Sequence, residues 1–450
     1  MNQQGHKLII YEFSIEAVSP VFFGAVEPQE LVKDSQGAPI LFGNSIGGAL
    51  RDCLEACDVP EDTVYTYMGG NRNNEFLPSL LYISDGKITG CHEFGCQEGT
   101  AIDPACGSAK KNHKYTLEYL PVGSVITFRI ECEAGDYAEE TEFHTIIGTW
   151  AQGFRTGSIR LGGQQNNGWG QFQLKELKKK EFVFRTPDDL DEYIKYIVKQ
   201  PEQSFISVNA GELPRYEMAQ GKKVAFSLEG EFPYGLYQAF ADKKDSQLTG
   251  LQKRGDSYYL LASSFKGIVR SEVRVLLGKF LGAEKVDAKL EEIFGNQDRK
   301  GKIRFADVVL ENSGPVKVKR FDKEQKPFDG KPVYIKIDRL TGGAFDGALK
   351  QQREIWGSAL LQCQLTLEQE QDQALLFPLI YVLRRIGSGL VPLGGRTAAG
   401  LGEFTGSQVK LTGEIEENVP TGHHLSPQQI NRMRTYYNAF ERWCGSQCDM

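Results

Sequence analysis

Apolar and polar residues alternate along 7–17, with Leu8, Ile10, Phe13 and Ile15 as apolar positions and a slip of one between Ile10 and Phe13. A period of two predicts a half-buried strand, and the slip predicts a bulge in it. After a loop over 20–42 the period changes. Ile46, Ala49, Leu50, Cys53, Leu54 and Cys57 step by three and four, which places them on one face of a helix opened by an Asn44-Ser45 cap. Strand-like runs follow at 80–88 and 125–132, then a helix over 139–153 and a strand over 169–174. Strand, helix, strand, strand, helix, strand is the ferredoxin-like order, in which helices cover one face of an antiparallel sheet.

The order then repeats. A strand at 224–228 precedes a helix over 264–277 that turns Phe265, Ile268, Val269, Val273, Leu276 and Leu277 inward, and a second helix is predicted over 368–385. A charged connector, 175–221, lies between the copies and holds a helix over 188–198. Ser426-Pro427-Gln428-Gln429 is a capping box, and Ile430, Met433, Tyr437, Phe440 and Cys444 form the apolar stripe of a tail helix. That helix is expected to dock on the second copy or a neighbouring subunit, with no chemistry required of His423 or His424. The expected fold class is α+β: two tandem ferredoxin-like (RRM-like) domains with insertions and a C-terminal helix. Expected boundaries are 1–180, a connector 181–221, 222–412 and a helical tail 413–450.

The duplication is also written in motifs. Leu161-Gly162-Gly163, Gly168, Gly170 and Phe172 return at identical spacing as Leu393-Gly394-Gly395, Gly400, Gly402 and Phe404. Phe13-Ser14-Ile15-Glu16 answers Phe226-Ser227-Leu228-Glu229. The stretch from Gly43 to Arg51, containing Ser45, answers Ala262 to Arg270, containing Ser263, Ser264 and Lys266; Ile102-Asp103 answers Ile337-Asp338. Order is kept each time, which separates a repeat from a coincidence of glycines.

A chain of 450 residues with 40% hydrophobic and 25% charged residues is neither disordered nor fibrous. No run approaches the roughly 20 apolar residues of a bilayer span, and the start lacks a signal-peptide core, so the expectation is a cytoplasmic protein with no membrane partner. Nine irregularly spaced cysteines argue against a disulfide framework. Cys91, His92, Cys96, Cys106 and His113 share one polar stretch, enough ligands for a tetrahedral zinc site, although the spacing fits no short zinc motif and unconnected loop residues explain it as well. A net charge of −7 speaks against a free-standing nucleic-acid binder. Local charge changes that picture, because Arg155 and Arg160 precede the first glycine phrase while Arg384, Arg385 and Arg396 surround the second.

Two readings of the glycine phrases stay open: main-chain amides approaching phosphate oxygens, or a tight turn in a crowded core. At the helix starts, hydroxyls, amides and a positive helix end would hold an anion, with Arg51 and Arg270 on the following turns. Simple N-capping explains the serines; it does not explain Lys266, Gly267, Gly47 and Gly48 at positions of poor helix propensity.

This pairing of a Gly-Ser-Ser-x-Lys-Gly-x-x-Arg-like helix start with a glycine-rich loop before the last strand resembles the RAMP superfamily, specifically the RNA-binding backbone subunits of type III CRISPR effector complexes. The second copy matches best, through Ser263 to Arg270, Ile293-Phe294-Gly295, Gly301 to Asp307 and Ile337 to Ala344. The resemblance implies a fused pair of backbone subunits on a guide RNA, with a complementary target RNA and other complex subunits as partners. It assigns guide contacts to Ser45, Arg51, Arg160, Gly162, Gly163 and Gln164. In the second copy it assigns them to Ser263, Ser264, Lys266, Arg270, Arg339, Gly394, Gly395, Arg396 and Thr397. Segments 103–109 and 338–344 resemble the base of a thumb-like hairpin that wedges between paired bases.

In active members, an aspartate between the first strand and first helix directs metal-dependent cutting of the target. Asp34, in Lys33-Asp34-Ser35-Gln36-Gly37, occupies that loop, so the resemblance implies a ribonuclease centre using Mg²⁺ or Mn²⁺. Asp-Ser-x-Gly is also good turn chemistry. In the second copy Lys253 falls opposite Asp34, leaving Asp245 and Asp256 as the nearest candidates and a module that binds without cutting as the preferred reading. The alternatives are a binding-only scaffold, a guide-processing endonuclease using a histidine, and a small-molecule enzyme with a duplicated phosphate pocket.

Overall fold

The computed structural model describes residues 7–24, 29–72, 75–90, 94–103, 109–135, 138–199, 205–217, 222–241, 248–254, 256–296, 299–321, 327–330, 333–346, 349–422 and 424–445. The chain divides into two units, residues 1–165 with 169–221, and 166–168 with 222–450.

In the first unit the ordered elements are β1 (Lys7–Ala17), α1 (Gly43–Glu55), α2 (Glu61–Met68), β2 (Leu81–Ile83) and β3 (Gly86–Thr89). After these come β4 (Gly95–Ile102), β5 (Ala109–Tyr119), β6 (Val125–Ala134), α3 (Glu140–Arg155), β7 (Phe172–Val183) and α4 (Pro187–Lys199). β1 lies between β7 and β6, both antiparallel to it, and β2 and β3 pair with the far side of β6. This is the ferredoxin-like strand order anticipated from the pattern. Among the described residues β4 and β5 pair as strands only with each other and form a separate hairpin.

The reading of β1 needs one correction. Ile9, Tyr11, Phe13 and Ile15 face the helices in the core, without a change of parity, while Leu8 and Ile10 are buried on the opposite face beneath α4. The apparent slip arose because both faces of the strand's start are covered, and the bulge lies later, between Ser14 and Ile15 in the pairing with β7. The charged connector is also structured. Its first residues extend β7, and Val208, Ala210, Leu213 and Tyr216 pack on the first core, with the Tyr216 amide donating to Thr149 Oγ1 at 2.9 Å.

The second unit comprises β8 (Lys222–Leu236), β9 (Ser257–Leu260), α5 (Ala262–Leu277), α6 (Ala283–Phe294), β10 (Ile303–Phe305), β11 (Val308–Pro315) and β12 (Ile355–Leu367). Then come α7 (Leu376–Gly387), β13 (Thr405–Gly413), β14 (Glu417–Pro420) and α8 (Pro427–Gly445). β8 lies between β13 and β12, and β10 and β11 pair with the outer side of β12, so the order of the first unit recurs. The second helix starts later than its pattern suggested, because a 3-10 turn over Glu370–Leu375 precedes it. Asp372 is buried there, accepts from the Glu368 and Gln369 amides, and pairs with buried Lys302. The tail helix has the expected capping box, Ser426 with Gln429, and buries Phe440, Trp443 and Cys444 in the second core, while Ile430 stays exposed.

Candidate nucleic-acid interface

Three segments carry the candidate residues of each unit: the start of the first helix, the glycine loop, and the long loop after the first strand. The expected Asn-Ser cap is absent. α1 is N-capped by Phe42 and α5 by Leu261, neither through a side chain, so Ser45, Ser263 and Ser264 sit inside the first helical turn. The first free amide of each helix is instead taken by an aspartate from a neighbouring strand end: Gly43 N donates to Asp85 at 2.7 Å and Ala262 N to Asp307 at 2.8 Å. These carboxylates already occupy the positive end where an external anion was expected. Sequence reasoning did not assign them, although Ile83-Ser84-Asp85 and Phe305-Ala306-Asp307 carry a shared apolar-small-Asp signature after equivalent strands.

N-capping is thereby removed as the serines' role. Ser45 is exposed, and Ser264 accepts from Gln238, which leaves its own proton available to an acceptor. One turn on, Lys266 is half-buried beside Arg270 with no acidic partner among the described residues; burial foremost, then the neighbouring guanidinium, pushes its ammonium down to about 8. Gly267 and Gly48 are exposed helical glycines whose absent Cβ would meet nothing within 4 Å. Packing does not require either glycine, and each weakens its helix by about 1 kcal/mol relative to alanine.

The arginines that follow serve the protein itself. Arg51 donates to the carbonyls of Met68 and Gly69 and so ties α1 to the end of α2, while Arg270 lies over the Phe294 ring at the end of α6. Arg160 donates to Gln165 O, and Gln165 reaches back to the carbonyls of Arg160 and Gly162, which closes the first glycine loop on itself.

The glycine phrases resolve largely as crowded turns. Gly163 N donates to Phe22 O at 2.8 Å and Gly170 N to Pro20 O at 2.9 Å; Gly395 N donates to Tyr237 O at 2.7 Å and Gly402 N to Gly235 O at 2.9 Å. The amides expected to meet phosphate at Gly163 and Gly395 are therefore engaged by the loop after the first strand. Gly162 and Gly394 have φ of +85° and +81°, and a Cβ there would lie 2.3 Å from Phe22 O and 2.6 Å from Tyr237 O. Gln164 and Arg396 follow in the same left-handed conformation. Gly394→Ala is expected to cost the second unit about 1–3 kcal/mol from backbone strain alone. A thermal melt should place its transition roughly 2 °C or more below the parent.

In the first unit the same loop also holds the hairpin. Glu118 of β5 pairs with Lys33 at 2.8 Å and accepts from the Leu31 amide, and its own amide donates to Gln29 O at 2.9 Å. The hydrogen bond to Glu118 raises the Lys33 ammonium above its ordinary value. Asp34 is the next residue, exposed at the loop tip, where Oδ1 accepts from Gln36 N at 2.8 Å and Ala38 N at 2.9 Å. Its Oδ2 has no partner among the described residues. Asp34 thus stands on a loop fixed to the glycine loop through Pro20 and Phe22 and to the hairpin through Gln29, Leu31 and Lys33.

In the second unit, Leu248–Gly250 of the corresponding loop pairs with Lys350–Arg353, and Tyr237 OH meets Thr249 Oγ1 at 2.8 Å. Arg396 donates to Gln352 and lies 3.9 Å from the Tyr334 ring, so it braces the glycine loop against the paired strands Val333–Tyr334 and Lys350–Arg353. Thr397 is exposed beside it. Asp338 holds a turn by accepting from Leu340 N and Thr341 Oγ1, which leaves Arg339 exposed and Leu340 94% exposed at its tip. Asp245 lies outside the described residues. Asp256 sits in the exposed turn between Gln252–Arg254 and β9, which precedes α5 as Asp34's turn precedes α1. Of the zinc candidates Cys91, His92 and Cys106 lie outside the described residues; Cys96 is exposed and His113 bonds Lys111 O.

A family model described as the RAMP superfamily matches residues 14–173 and again 245–405. The chain belongs to the RAMP superfamily. Each unit of this RAMP protein carries one match, so the repeat of motifs, the repeat of strand order and the repeat of family agree. Membership implies a CRISPR-associated RNA-binding subunit. No curated protein matches the chain. Among the described residues of this RAMP protein no helix is long and apolar enough to cross a membrane.

Proposed function

We propose that this protein is a guide-RNA-binding backbone subunit of a type III CRISPR RNA-targeting complex, and that its first domain cuts the target RNA at Asp34. The observation that carries the reading is the placement of Asp34, whose loop is fastened to the glycine loop on one side and to the hairpin on the other. In each unit the guide backbone would run past the first helix at its exposed glycine, Gly48 or Gly267, with Ser45, or Ser264 and Lys266, donating to phosphate oxygens. Exposed apolar residues of the second hairpin region, Leu340 foremost, suit a wedge against an unstacked base.

Chemistry at Asp34 follows from its two oxygens. Oδ1 fixes the loop, and Oδ2 is left to orient a ribose 2′-hydroxyl or to ligate a divalent ion. A single carboxylate oxygen fits an ion held mainly by phosphate and water, which suits Mg²⁺ or Mn²⁺ and would neutralise charge developing on the phosphate. The second domain is assigned to binding alone, and a binding-only scaffold is the alternative if Asp34 acts purely as a turn residue.

Sequencing the RNA that copurifies with the assembled complex, from cells carrying a CRISPR array, tests the reading. Repeat-and-spacer transcripts are expected; bulk cellular RNA or none would overturn it. Gly267→Ala should add about 0.5–1 kcal/mol of helix stability yet weaken RNA retention, since the new methyl lies where the strand passes.

A further inference from the structure

The two sheets differ on the face turned away from the core helices. In the first unit this face is roofed: α4 and Phe205 bury Leu8, Ile10 and Phe182, and Arg129 bonds Glu12 at 2.8 Å and Tyr196 OH at 3.1 Å beneath them. In the second unit the corresponding face is open. Trp356 is 47% exposed, Leu360 43% and Val309 43%. Trp356 and Leu360 lie on one side of β12, and Leu310 pairs with Ala359, which sets Val309 across from Leu360. Trp356 lies against Gly314, where a Cβ would be 3.2 Å from its ring.

Charge tells what such a face accepts. Glu229 is paired with Leu360, Glu231 with Ser358, and Glu311 with Ser358 from the other side, so three exposed carboxylates border the apolar strip. None has an ion-pair partner among the described residues. The carboxylates of β8 and β11 flank β12 at about 10 Å, two strand spacings. This arrangement repels a polyanion, although aromatic side chains on such sheets can stack bases. It also repels α4 of a second copy, whose first turn carries Asp188 and Asp189.

We propose that the open face of the second unit is a docking surface for a basic amphipathic helix of another protein subunit, with apolar residues on Trp356, Leu360 and Val309 and lysines or arginines on Glu229, Glu231 and Glu311. The first unit supplies the internal precedent, a sheet of the same order roofed by a helix from the connector. Neither RNA binding nor cleavage is needed for this contact, so it stands or falls separately from the proposed function.

Trp356 reports on the face directly, because Trp150, Trp169 and Trp443 are buried. The full chain would be titrated with a synthetic leucine-lysine amphipathic peptide of roughly 18 residues, with its leucine-glutamate counterpart, and with single-stranded RNA, while acrylamide quenching of Trp356 is followed. The basic peptide is expected to cut quenching by about half, and the Glu229→Lys/Glu231→Lys/Glu311→Lys variant to bind it at least about tenfold more weakly. Glu55→Lys/Glu61→Lys/Glu75→Lys, with the same net charge, should keep the shielding. Shielding by RNA, concentration-dependent shielding of the chain alone, quenching already low in the monomer, or equal losses in both triple variants would each overturn the proposal.

Discussion

Replacing Asp34 by asparagine is expected to lower guided cleavage of target RNA by about 10²–10⁴-fold while target binding is retained. Asparagine is the informative substitution because Asp34 has two jobs that it separates. Its Oδ1 accepts from Gln36 N and Ala38 N, and an amide oxygen can keep both bonds. The charge and the second carboxylate oxygen disappear. Asp34→Ala removes the turn anchor as well, so a defect in alanine that asparagine restores would assign the residue to loop geometry. Gel analysis of target fragments from the assembled complex with Mg²⁺ decides between the two; full cutting by Asp34→Asn would move the reaction elsewhere.

Lys266 is expected to show effects of opposite sign in stability and in RNA affinity. Its ammonium is half-buried without an acidic partner among the described residues, and its value of about 8 lies below the ordinary 10.5. Between those values an unfolded chain holds a proton that the folded chain has released, so this lysine's contribution to stability rises with pH across that window. A bound phosphate favours the charged form, so RNA binding takes up a proton, and affinity should fall by about tenfold from pH 7 to pH 9. Lys266→Met should raise the melting temperature of the free protein, since an uncompensated charge is gone, while RNA affinity drops about 10–100-fold and loses its pH dependence. Filter binding across pH with parent and variant measures this; a pH-independent parent would take Lys266 out of the interface.

Several site residues were legible as positions but not as roles. Arg51 and Arg160 are themselves among the expected contacts, yet each donates to carbonyls of its own unit. The glycines of both phrases were found by spacing alone, but spacing does not say toward what an amide points; Gly163 and Gly395 point at Phe22 and Tyr237. The serines' release from capping depends on Asp85 and Asp307, whose partners Gly43 and Ala262 are 42 and 45 residues away. A contact across such distances leaves no local period to read.

The chain's own order of residues determined the duplication, the α+β class, the ferredoxin-like succession of elements and the place of each glycine phrase, because hydrophobic period and backbone freedom are local properties. Tertiary structure alone decided that Arg51 and Arg160 are committed while Lys266 has no acidic partner among the described residues, why both faces of β1 are apolar, and that Asp34's loop is anchored on two sides. Those outcomes depend on which side chains long-range strand pairing brings together, and in this protein pairing joins residues as distant as Leu8 with Phe182 and Glu229 with Leu360.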